Sequence, residues 1–142
     1  MKLLRPTLVL AFVALAGLCS AAPAPTAQKV SMADTPRAYR MDAARFIYAS
    51  YPERIYKGKL PPLVHAIVVL EVDVDESGKV KDITMVRVPT HAPDVVVAVK
   101  KMIHQASPLP APSRMGGAKF TEIWLVDKSG RFQLDALTEG QR

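Results

Sequence analysis

The sequence predicts an α+β two-layer sandwich, a small antiparallel sheet of three or four strands with two helices packed on one face. Three observations predict it. Val64 to Val88 reads as two strands joined by a tight turn. Two stretches, one after Thr35 and one after Pro93, carry apolar residues at helical spacing. A second turn, Asp127-Lys128-Ser129-Gly130, repeats the chemistry of Asp75-Glu76-Ser77-Gly78, down to a basic residue after the glycine. With 142 residues, the chain holds one domain. Its 49% hydrophobic and 23% charged residues match a soluble globular protein.

The amino terminus belongs to another class of sequence. Lys2 and Arg5 make a basic start, Leu8 to Leu18 is an unbroken run of apolar and small residues, and Ser20-Ala21-Ala22 supplies small residues for cleavage. That is the pattern of a secretory leader, residues 1–21, cut after Ala21. Two alternatives stand beside it. An uncleaved anchor needs about 20 apolar residues, and Thr7 to Ala22 gives 16. Acylation at Cys19 would place the bulky Leu18 where the processing enzyme takes a small residue. Export is implied in each case. Cys19 is the single cysteine, so a chain cut after Ala21 has no disulfide to stabilise its core. Without Lys2 and Arg5, 17 basic residues stand against 13 acidic ones, a net charge of +4. No Lys/Arg run or interleaved aromatic platform marks a nucleic-acid surface.

Residues 22–34 read as a disordered or extended Ala/Pro linker, and residues 35–138 as the domain. Thr35 is placed to cap a helix that has Pro36 at its first position. Tyr39, Ala43, Phe46 and Ile47 form its apolar face, and Pro52 ends it. In the strand that follows, Val68, Leu70, Val72 and Val74 point one way, while Glu71, Asp73 and Asp75 point the other. Gly78 supplies the positive φ of the turn, and Val80 to Val88 returns. Pro89 to Pro93 makes a turn and starts the second helix, with Val95, Val99, Met102, Ile103 and Ala106 as its stripe. Pro108, Pro110 and Pro112 are expected to forbid regular structure until Met115. Phe120 to Val126 and Arg131 to Leu134 form the last hairpin, and residues 139–142 a frayed tail.

Candidate chemistry is sparse. His91, Asp94 and His104 can be drawn as a metal site or hydrolytic centre, but the two histidines stand 13 residues apart at opposite ends of the second helix. Glu71, Asp73, Asp75 and Glu76 form an acidic row of the kind a solvated sheet face carries. No nucleophile elbow, catalytic cysteine or phosphate loop is present. Gly116-Gly117 reads as a hinge, Trp124 as core packing, and Val97 as an isolated apolar residue on the basic face of the second helix. These readings imply no catalytic residue, no metal ligand and no cofactor.

Taken in order, Tyr51-Pro52 with Gly58, the hairpin VVLEVDVDESGKVKDITMVRV, the helix with Ala98 and Ile103, the segment ASPLPAP from Ala106 to Pro112, and the strand through Trp124 resemble the TonB C-terminal domain, within the wider TonB/TolA periplasmic group. The resemblance runs from Tyr51 to about Leu134. It implies a non-catalytic periplasmic domain that binds an envelope protein or peptide strand by adding it to a sheet edge. On this chain that edge is expected in the last hairpin, at Thr121, Glu122, Ile123, Trp124, Leu125 and Val126. Exposed edges also permit a homodimer. Two departures bear on energy transduction: the leader reads as cleavable, and the long proline-rich spacer is missing. A domain cut from the inner membrane cannot pass on force, whereas one still anchored through residues 7–22 could serve as a short transducer.

Overall fold

The computed structural model describes residues 27–141. The leader, its cleavage point and Cys19 lie outside them. The elements in chain order are β1 (Val30–Ser31), α1 (Pro36–Ser50), β2 (Ala66–Asp75), β3 (Val80–Arg87), α2 (Pro93–Ala106), β4 (Ala111–Pro112), β5 (Gly117–Val126) and β6 (Phe132–Leu134). Single 3₁₀ turns follow α1 at Pro52–Arg54 and β6 at Asp135–Leu137. The main sheet has the order β3-β2-β5-β6 and is antiparallel throughout. Two helices on one face complete an α+β two-layer sandwich.

Sequence periodicity fixes which face is dry. Ala66, Val68, Leu70, Val72 and Val74 of β2 and Ala118, Phe120, Trp124 and Val126 of β5 are all buried. They meet Tyr39, Ala43, Ala44 and Ile47 of α1 and Val99, Met102, Ile103 and Ala106 of α2. Burying each large aliphatic side chain here contributes about 2 kcal/mol. The Tyr39 ring meets Phe120 edge-on at 5.5 Å, and Trp124 lies against Phe132 at 4.5 Å. The other face is wet at its centre, where Lys119 pairs with Glu71 at 3.5 Å.

Local signals set the element ends. The Thr35 hydroxyl accepts the Ala38 N–H at 3.2 Å, with Pro36 opening α1. The two turns are near copies. Asp75 Oδ1 accepts from Ser77 N–H, Ser77 Oγ–H and Lys79 N–H at 2.9, 2.6 and 3.0 Å. Asp127 Oδ1 accepts from Ser129 N–H, Ser129 Oγ–H and Arg131 N–H at 2.9, 2.6 and 3.1 Å. Gly78 and Gly130 hold φ of +82° and +80°. The hydrogen bonds from Ser77 and from the Ser77 and Lys79 amides hold the Asp75 carboxyl below its ordinary value.

Three expectations change. The linker is not free to its end: Val30–Ser31 pairs in parallel with Ala111–Pro112, Ser31 is buried, and its Oγ donates to Asp42 at 2.7 Å. The proline-rich stretch after α2 therefore contains a short strand, because Ala111 keeps an N–H that donates to the Lys29 carbonyl at 2.9 Å. The tail is also tied down: Leu60 N–H donates to the Gly140 carbonyl at 2.9 Å, and Glu139 N–H to Gln133 Oε1 at 3.2 Å.

Candidate partner-binding surface

Which backbone groups of the sheet remain unpaired follows from its alternation, since successive residues of an antiparallel strand address opposite neighbours. Asp75 N–H bonds the Lys79 carbonyl, so the odd residues of β2 address β3 and the even ones address β5. On β5 the even residues therefore face β2, and Thr121, Ile123 and Leu125 face the far side.

That far side is largely closed. Trp124, Leu125 and Val126 pair with Ala66–Val68 on one side and with Leu134, Gln133 and Phe132 on the other. These three residues are interior, which corrects the expected edge from Thr121 to Val126 over its second half. A hairpin of β5 and β6 alone would leave β5 one free side, but that side is taken by β2, a non-local pairing with no signal in the sequence of β5 itself. Where β6 stops, side chains take over. Glu122 Oε1 accepts the Ile123 N–H at 2.9 Å and two N–H groups of Arg40 at 2.8 and 3.2 Å, and Arg40 also reaches Asp135 at 2.9 Å. These bonds, Glu122 foremost, raise the Arg40 guanidinium above its ordinary value. Thr121 is exposed, but Arg37 and Arg40 flank it. Glu122 itself is buried on the helix side, with Oε2 unpartnered among the described residues, as is Trp124 Nε1.

The outer edge of β6 is also used. The Phe132 carbonyl accepts the Tyr56 N–H at 2.9 Å, and the Tyr48 hydroxyl accepts the Leu134 N–H at 3.0 Å. Gln133 Nε2 donates to the carbonyls of Tyr56 and Gly58 at 2.9 and 2.7 Å, fastening the following loop across the strand.

The opposite edge, β3, is open. Asp82 and Thr84 pair with Asp73 and Glu71, so Ile83 and Met85 direct their backbone groups outward. Among the described residues this edge is used only at its start, where Val80 N–H donates to Ser107 Oγ at 3.0 Å. No strand of the described residues pairs with the outer side of β3. Val86 and Val88, at its end, are 63% and 48% exposed. The sequence signal for this edge was present in Lys81, Asp82 and Thr84, polar residues spread along the strand.

The remaining candidates scatter. His91 Nε2 lies 2.6 Å from the His65 carbonyl, and the two imidazoles meet edge-on at 5.6 Å. His104 sits at the other end of α2, so His91, Asp94 and His104 do not converge. Among the described residues, no three His, Cys, Asp or Glu side chains form a metal-sized group, and no helix is long and apolar enough to cross a membrane. Val97 is 66% exposed, and Trp124 is core. No protein-family model, curated protein or solved structure matches the chain.

Proposed function

We propose that the protein is an exported, non-catalytic, TonB-like interaction module of the bacterial periplasm that binds an envelope protein by adding the partner's strand to β3. The observation that carries this reading is the asymmetry of the sheet among the described residues: one edge is shut by β6, Tyr56, Tyr48 and the Arg40–Glu122–Asp135 cluster, while β3 presents unpaired backbone groups. An edge of this kind gives affinity through main-chain hydrogen bonds and leaves side chains to set specificity.

Met85→Pro tests it directly. Proline removes an N–H that points away from β2, a position an edge strand tolerates. The variant should keep its circular dichroism spectrum and lose capture of its envelope partner, while Lys101→Ala on α2 retains it. Equal capture by the two variants would sink strand addition at β3.

The anchored-transducer reading requires residues 7–22 to stay attached. Intact mass of protein from fractionated envelopes decides between them. A soluble periplasmic species lacking residues 1–21 is the expected result, and a full-length species in the inner-membrane fraction restores the transducer.

A further inference from the structure

The end of the open edge carries a cleft of about 320 Å³ whose walls include His65, Ile67, Arg87, Val88, Pro89 and His91, with no acidic residue among its lining. Arg87 reaches it through a register change. Leu70 pairs with Met85, but Val69 pairs with Arg87, leaving Val86 as an extra residue on β3. An uninterrupted ladder would set Arg87 opposite Val68, which is fully buried, and turn a guanidinium into the core. The bulge sets it opposite Val69 instead, on the same wet face as Ile67. Among the described residues Arg87 makes no ion pair. His91 is held at the rim by the bond between its Nε2 and the His65 carbonyl. A carbonyl can only accept, so that nitrogen carries the proton.

We propose that this cleft binds the carboxyl-terminal residue of a peptide, its carboxylate on Arg87 and its apolar side chain against Ile67, Val88 and Pro89. One unpaired guanidinium beside an apolar wall calls for a negative and an apolar group on the same residue. A chain-terminal aliphatic residue has both, whereas an internal Asp or Glu has the charge without the apolar side chain. The guanidinium fork matches a carboxylate with two parallel hydrogen bonds, and the absence of acidic lining gives the charge complementarity that selects it. The placement of the preceding residues rests on the strand-addition reading: a chain ending in this cleft runs parallel to β3.

The test is an amide chemical-shift titration with N-acetylvaline and its N-methylamide. The acid should shift Ile67, Arg87, Val88 and Thr90 and saturate. The amide should bind at least tenfold more weakly, and so should the acid on Arg87→Gln, with Lys81→Gln as an unaffected control. Equal binding of acid and amide overturns the proposal, as does acetate binding as tightly as N-acetylvaline. The peptide Thr-Val-Thr-Val-Thr-Val, as free acid and as amide, separates the two readings. Acid-specific shifts in the cleft without shifts along Val80–Met85 keep the cleft and remove strand addition. Shifts along β3 that ignore amidation keep strand addition and remove the cleft. Equal binding by an amidated peptide ending in Asp assigns the site to side-chain carboxylates and overturns the terminal-residue proposal.

Discussion

Gly78 and Gly130 occupy matching turns at nearly the same φ, yet their surroundings differ. A Cβ on Gly130 would meet only the tip of Arg54, at 3.7 Å. A Cβ on Gly78 would come within 2.9 Å of the Leu109 carbonyl carbon and closer still to its oxygen. The Gly78 carbonyl also accepts the Leu109 N–H at 2.8 Å, so the first turn is docked against the segment after α2. Gly130→Ala should cost the backbone penalty alone, about 1–2 kcal/mol. Gly78→Ala adds a clash with rigid backbone and should cost on the order of 3 kcal/mol or more. Urea unfolding of the two variants measures the difference, and equal losses would mean that the docking of the first turn contributes nothing.

Helix α1 is fastened by Tyr39 within it and by Tyr51, the residue that caps its end. Tyr39 Oη donates to the Pro110 carbonyl at 2.8 Å, and Tyr51 Oη donates to the Met102 carbonyl at 2.7 Å. Burial is the first cause that raises the phenols of Tyr39, Tyr48 and Tyr51 above their ordinary value, most of all Tyr39, where the Asp42 charge adds to it. A raised folded-state value means that the native protein holds its proton longer than the unfolded chain. The stability linked to it is complete below about pH 10, where the unfolded phenol ionises, and is lost as pH rises through the folded value. Unfolding free energy should therefore fall steeply above about pH 10, and Tyr39→Phe should flatten that slope in urea titrations at pH 8 to 11.5. At this scale much was legible in the sequence. Thr35-Pro36, the alternation of β2 and the stripe of α2 are local signals that the packed structure keeps. What was illegible is non-local. The pairing of Val30–Ser31 with Ala111–Pro112 joins segments 81 residues apart, and neither carries a periodicity of its own. The place of β5 inside the sheet depends on which side of it three residues, Phe132–Leu134, chose to pair.

At the scale of the molecule, the main sheet is open on one flank only among the described residues, and that bears on how copies of the chain could meet. A domain with two free strand edges can pair head to tail without end and build a fibre. A second copy that extends the main sheet would join through β3, the same surface on each partner, and the pairing would consume that free edge of both. Such an assembly closes on itself at two copies, with two-fold symmetry and nothing left to propagate. Concentrating the protein would then yield a dimer through this edge, and a partner strand from another protein would compete with that dimer for the same row of amides.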